Sequence, residues 1–292
     1  MNMHLLQHSI AREVHYLAQA ERRMALHVWR PQRPEGAILY FHGLQSHAGW
    51  LWAVGNAFAN LGIAFYALDR EGCGISSGQK HGFPDIKTLH DDARAAIEHI
   101  RQEVPEEIAL CLFGHCLGGS VLAAIASWPE SQLRYDNLVI CSAWLGKMHD
   151  RLSERERAGI EMDDRQSLWD SGLLAEDFTA DPHLAEFIRN DALATTHLRH
   201  DERKKLLALE KAYLAADAQP IEAPSLFICA DKDPLVDVSA TVRHFQRLCN
   251  DGSTLLVNQD KHYLFFTPAM NQVVRFTADF VKANGRYAYD AA

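Results

Sequence analysis

One hexapeptide constrains this chain more than any other stretch. Gly114-His115-Cys116-Leu117-Gly118-Gly119 follows an apolar, strand-like run, Ile108–Phe113, and precedes a small-residue helical run, Ser120–Ala126. Strand, Gly-x-nucleophile-x-Gly, helix is the pattern of a nucleophile elbow. The bend is so sharp that its central residue is strained, and only small neighbours leave room for it. Gly114 and Gly118 supply that room. The side chain of residue 116 then projects at the mouth of a sheet beside a helix N-terminus. The unusual feature is cysteine at a position where serine is expected.

Short apolar runs alternate with helical stretches along the rest of the chain. Strands are expected at Arg23–Trp29, Gly36–His42, Ile63–Asp69, Ile108–Phe113, Asn137–Ser142, Ser225–Ala230 and Thr254–Asn258. Several, such as Ala37-Ile38-Leu39-Tyr40-Phe41, lack polar alternation, which indicates a mostly parallel sheet covered on both faces. Helices are expected near Trp50–Leu61, Ile86–Val104, Ser120–Trp128, Ser239–Cys249 and Pro268–Ala283. In the second, Leu89, Ala93, Ala96, Ile97 and Ile100 share one face. The fold class is therefore α/β. Residues 146–219 differ: they are rich in charge and show no strand-like run. They read as a helical insertion over the strand ends, a cap on a core made of residues 1–145 and 220–292.

The formal net charge of −9 argues against a nucleic-acid surface, which needs a basic face. The N-terminus lacks the pattern of a signal peptide, and no apolar run approaches the ~20 residues that span a bilayer. Six cysteines, at 73, 111, 116, 141, 229 and 249, form no C-x-x-C pair and no compact framework, so neither zinc nor a disulfide scaffold is suggested. Cys111, Cys141 and Cys229 read as buried thiols. A reducing cytoplasm fits.

A thiol nucleophile needs a base, and the base an orienting acid. In an elbow-bearing sheet these follow in the order nucleophile, acid, histidine. Two downstream segments sit just past strand ends, Ala230–Val236 and Gln259–Tyr263, and sites in open parallel sheets gather at that edge. The first segment holds Asp231 and Asp233, with Asp237 next to it.

Several motifs then converge. His42-Gly43-Leu44-Gln45-Ser46-His47 resembles the HG-x-G-x-H oxyanion loop of α/β-hydrolases of the monoacylglycerol lipase and lysophospholipase type (serine aminopeptidase S33 type). Asp69–Ser76 resembles that family's D-x-R-G-H-G-x-S segment, and the hexapeptide resembles GHSMGG. Phe178–Leu193 is similar to the cap, and Ala230–Val236 resembles the acid motif G-x-x-D-x-L-V. The resemblance implies Asp233 as acid, His262 as base and Cys116 in the nucleophile's place. It also implies the Leu44 and Leu117 backbone N–H groups as oxyanion donors. Departures are Cys116 for serine, Gln45 and Ala230 for glycine, Cys73 for histidine, Ala192 for proline and an added Glu71. The elbow alone is also close to that of dienelactone hydrolases, which use cysteine. His115 is expected to pack under the elbow, while Trp50 and Trp52 are open between pocket and core.

Cysteine alters the expected chemistry. A helix N-terminus and a nearby imidazolium favour thiolate, so attack needs less help than from serine. Thiolate, however, leaves far better than a simple alkoxide, so an attacked alkyl ester mostly reverts. The expectation is an acyl hydrolase or acyltransferase working through a thioester acyl-enzyme on thioesters, lactones or aryl esters. Its substrate is a small, apolar acyl compound, with an acyl acceptor where transfer replaces hydrolysis. No metal or organic cofactor is implied. Two rivals stand beside it: a lipase-like esterase whose serine has become cysteine, and a non-catalytic binding protein on the same fold.

Overall fold

A computed structural model describes residues 9–19 and 21–285 of the chain. The first half runs β1 (Glu13–Gln19), β2 (Arg22–Trp29), β3 (Gly36–Phe41), α1 (Trp52–Asn60), β4 (Ile63–Leu68), α2 (Ile86–Glu103), β5 (Leu110–His115), α3 (Leu117–Ala126) and β6 (Asn137–Cys141). Five helices and two short strands follow: α4 (Lys147–Arg151), α5 (Glu154–Glu161), β7 (Leu168–Asp170), α6 (Ala175–Phe178), α7 (Pro182–Asn190), β8 (His197–Arg199) and α8 (Arg203–Leu214). The chain then returns as β9 (Ser225–Ala230), α9 (Val238–Leu248), β10 (Gly252–Val257) and α10 (Met270–Ala283).

Eight strands form one sheet in the order β1-β2-β4-β3-β5-β6-β9-β10. From β4 to β10 every pairing is parallel, while β1 and β2 join antiparallel. The apolar strands are continuous because both faces are covered. Leu39, Leu112 and Phe227 pack with α2, α3 and α9 on one side. Ile38, Tyr40, Phe113 and Ile228 pack with α1 and α10 on the other. Each such side chain, wholly buried, contributes about 1.5–3 kcal/mol relative to exposure. On α2 the five residues expected on one face are all buried, and Asp85 starts the helix by accepting from the Thr88 N–H at 2.8 Å.

The structure adds to the sequence reading in three places. Strand β1 lies at the sheet edge, where only Leu17 is buried, so its mixed composition carried little apolar signal. Residues 146–219 do contain strands, against expectation: β7 and β8 pair antiparallel over three residues each. Only one residue pair faces inward, the half-buried Trp169 opposite the buried Leu198, while Leu168 and Asp170 are exposed. Helix α3 starts three residues earlier than expected, directly after Cys116.

The bend between β5 and α3 is tight. A Cβ on Gly118 would lie 2.1 Å from the Phe41 carbonyl oxygen, and one on Gly114 would lie 2.4 Å from the Gly118 oxygen. Both obstacles are backbone and cannot rotate away. Gly159, inside α5, has nothing within 4 Å of its added Cβ. Gly118→Ala should therefore destabilise the fold by about 1–3 kcal/mol or more through overpacking. Gly159→Ala should stabilise it by about 0.5–1 kcal/mol through helix propensity. Thermal unfolding of the two variants checks the opposite signs.

Candidate active site

Cys116 occupies the apex of the bend with φ 53° and ψ −121°, one of three non-glycine residues with positive φ among those described. Its N–H donates to the Cys141 carbonyl at 2.9 Å, and its carbonyl accepts from the Gly119 N–H at 3.0 Å. The strained conformation is thus held from both sides. The thiol sits at the N-terminus of α3 and is partly exposed to a cleft.

Two loops meet it from the far half of the sheet. Asp233 follows β9 and His262 follows β10, so the pairing of those neighbouring strands brings the loops together. The His262 Nδ1–H donates to the Asp233 carboxylate, 3.0 Å from each oxygen. Asp233 also accepts from the Leu235 N–H at 2.9 Å and from the Cys229 thiol at 3.6 Å. The other two acids of that segment are used elsewhere. Asp231 accepts from the Gln259 N–H, and Asp237 caps α9 by accepting from the Ala240 N–H. With Nδ1 committed, His262 Nε2 is buried with no other partner and is left to the thiol.

The electrostatics of the pair are mutual. Burial pushes the Cys116 thiol up, but the charge and hydrogen bond of His262 and the Leu117 N–H outweigh it, and its pKa falls below the ordinary value. Burial likewise pushes His262 down. The Cys116 thiolate and the Asp233 hydrogen bond reverse this and raise the imidazole to about 10. The arrangement favours a thiolate beside an imidazolium.

The loop carrying Leu44 packs onto the same cysteine: a Cβ on Gly43 would lie 3.5 Å from the sulfur. His42 and Arg70 brace that loop. The His42 Nδ1–H donates to the Gly43 carbonyl at 2.8 Å while its Nε2 accepts from the Arg70 N–H at 3.0 Å. This pattern requires a neutral ring, and burial followed by the Arg70 charge lowers its pKa to about 3. The Arg70 guanidinium donates to the Gly43 and Leu44 carbonyls at 3.3 and 3.4 Å. Asp69, fully buried, accepts from the Ala48 and Ile75 N–H groups and meets His27 at 3.2 Å. Leu44 and Leu117 both line the cleft, and neither N–H donates to an oxygen among the described residues.

The cleft beside Cys116 and His262 holds about 610 Å³. Its other wall comes from residues 146–219: Lys147, Met148, Arg151, Trp169, Arg203 and Leu206 all line it. Sequence reasoning did not single these out. The same insertion fastens the base, since the His262 N–H donates to the Asp177 carbonyl at 2.8 Å and Phe178 packs edge-on against the ring. Asp191 accepts from His47 Nε2 at 2.9 Å and from the Trp50 indole N–H at 2.5 Å. Trp50 is therefore wholly buried, and neither it nor the half-exposed Trp52 lines the cleft. His115 packs beneath the bend against Tyr263, 4.7 Å between ring centres. The remaining departures sit outside the cleft: Cys73 accepts from Arg70 at 3.2 Å, Glu71 pairs with Arg22, and the Gln45 carbonyl accepts from the Thr195 N–H. Among the described residues no helix is long and apolar enough to cross a membrane.

Known proteins share this fold. The chain is 24% identical over 265 residues to a monoacylglycerol lipase of Mycolicibacterium smegmatis, covering 86% of this chain and 90% of the relative. A soluble variant of monoglyceride lipase from Saccharomyces cerevisiae, solved with a substrate analogue, superposes with a TM-score of 0.81 at 15% identity, over 96% of this chain and 97% of that one. The monoacylglycerol lipase of Paleococcus ferrophilus superposes with a TM-score of 0.72 at 20% identity, over 90% and 99%. The family model described as serine aminopeptidase, S33, matches residues 32–268, and the chain belongs to this family of α/β-hydrolases.

Proposed function

We propose that this α/β-hydrolase is a cysteine-dependent acyl hydrolase or acyltransferase working through a thioester acyl-enzyme. The family and the named lipase relatives support the broader class, an esterase-type hydrolase taking a substrate with an apolar acyl chain. The finer reading rests on one observation. A cysteine held at positive φ on a helix N-terminus shares a cleft with a histidine whose far nitrogen is bonded to a buried carboxylate.

In this reading the Cys116 thiolate bonds to the acyl carbon, and the carbonyl electron pair moves onto oxygen, where the Leu44 and Leu117 amides receive it. The oxyanion collapses, the bond to the leaving group breaks, and the leaving group takes the proton of His262 Nε2. Water, or a bound alcohol or amine, then attacks the thioester and gives its proton to Nε2. The second collapse breaks the carbon–sulfur bond and restores thiolate and imidazolium. Asp233 stays ionised and fixes the ring throughout. Residues 146–219 act as a cap over this site. The six free thiols suit a reducing compartment such as the cytoplasm.

Collapse of the first intermediate sets the substrate preference. Thiolate competes poorly for retention against an alkoxide, so thioesters, lactones and aryl esters turn over and simple glycerides do not. A second reading has its own support in the 24% identity to a monoacylglycerol lipase: an alkyl-ester hydrolase in which cysteine has replaced serine.

Two measurements test these readings. An alkyl ester, an aryl ester, an acyl thioester and an enol lactone are offered to the protein, Cys116→Ser and Cys116→Ala, with and without an added amine. Turnover of only the activated donors, lost in both variants, is expected. Strong alkyl-ester turnover gained by Cys116→Ser favours the second reading, and silence from all three proteins favours a binding role. Separately, the rate of Cys116 alkylation against pH should show a midpoint below the ~8.5 of free cysteine. It should fall as pH drops through that midpoint, and the midpoint should rise in His262→Gln. A midpoint at or above 8.5 in the unaltered protein contradicts a poised thiolate.

A further inference from the structure

The cleft wall built from the insertion carries three cations beside two carboxylates, Glu156 and Glu210, although the chain as a whole carries −9. Lys147, Arg151 and Arg203 all line the cleft that holds Cys116. None of the three has an ion-pair or side-chain hydrogen-bond partner among the described residues. Each lies against an indole. Lys147 Nζ is 5.2 Å and the Arg151 guanidinium 5.6 Å from the Trp144 ring centre, and the Arg203 guanidinium is 4.7 Å from that of Trp169.

Neither the two carboxylates of the lining nor the acids beside it pair with these cations. Glu156 accepts from the Ser153 N–H and hydroxyl, closing the start of α5. Glu210 accepts from the Met148 and His149 N–H groups and from His149 Nδ1. Asp150 faces His244, and Asp163 is held by both arms of Arg165. Burial pushes the Arg203 guanidinium below its ordinary pKa, with Asp163 only partly offsetting it. The Trp144 indole N–H is a further donor in this wall with no acceptor. For the half-buried Arg203 a missing carboxylate is costly unless something supplies the counter-charge, whereas Arg151 is exposed to solvent. Three cations resting on indoles around one cleft offer donors to a carboxylate or phosphate.

We propose that the substrate of this site carries an anionic group, a carboxylate or a phosphate, which Lys147, Arg151 and Arg203 receive while the acyl carbon lies at Cys116. The proposal rests on the function proposed above. It separates this cleft from one that takes only uncharged esters: the leucines nearest Cys116 receive the chain, and the insertion reads the charge. A phosphate would sit on the leaving-group side of the scissile bond as part of a headgroup or carrier. A carboxylate would end the acyl chain itself.

The test uses aryl esters or acyl thioesters matched in length. One has an uncharged end, one an acyl chain ending in carboxylate, and one a leaving group bearing phosphate. At low ionic strength one anionic member should exceed the neutral one in kcat/KM by about tenfold or more, as expected for charge-assisted contacts. Which one does so names the source. The ratio of anionic to neutral kcat/KM should fall in Arg203→Gln and in Lys147→Gln, through KM, and recover in Arg203→Lys. Added salt should lower the same ratio. As a readout independent of turnover, the Cys116→Ala protein, which lacks the nucleophile, should bind the intact anionic substrates more tightly than the intact neutral one in calorimetry. Equal kcat/KM across the set with ratios unmoved by the substitutions overturns the anion proposal and leaves the acyl-enzyme reading intact. Selective binding by Cys116→Ala with no turnover by the unaltered protein keeps the anion site and overturns the acyl-enzyme reading.

Discussion

The distance between the start of α3 and the end of β3 governs the rest of the molecule. Gly118 passes so close to the Phe41 carbonyl that no side chain fits between them. That contact sets the helix directly behind the sheet edge and turns Cys116 outward at an angle an L-residue adopts only under strain. The loop with Leu44 continues from β3, so it rests against the same cysteine. Bend, helix terminus and loop are consequences of one close approach, and the thiol's surroundings are fixed before any cleft residue is considered.

The second requirement is that distant segments arrive at the same edge. Strand order brings the loops after β9 and β10 together, because those strands are neighbours in the sheet. The insertion between β6 and β9 then crosses to both sides of the cysteine. Through Asp191 it holds His47 and Trp50, and through the Asp177 carbonyl it holds the main chain of His262. Chain length within the insertion thus serves geometry: it must span from the Leu44 loop to the base.

Legibility of the sequence followed the strength of each physical signal. The central strands were plain because burial on both faces leaves uninterrupted apolar runs, as in β3 and β5. The edge strand β1 was not, because three of its seven residues are exposed and only one is buried, and the three-residue pair β7–β8 is too short to establish a period. The bend, Asp233 and His262 were legible through local motifs at strand ends. The tie between His47 and Asp191 was not, since 144 residues separate them and nothing local marks the pairing. The cations of the cleft were equally hidden: α4 and α8 each carry several charges, and only their packing decides which of them line the cleft with Cys116.

The Gly43 carbonyl accepts two donors at once, the neutral His42 ring and the charged Arg70 side chain. That oxygen and the Leu44 N–H are opposite ends of a single planar amide. Positive charge drawn to the oxygen increases the amide's polarisation, so the hydrogen at the other end carries more charge of its own. The guanidinium does not line the cleft, yet its field is delivered there along a peptide bond, as an inductive effect that leaves the place beside the sulfur to the imidazolium.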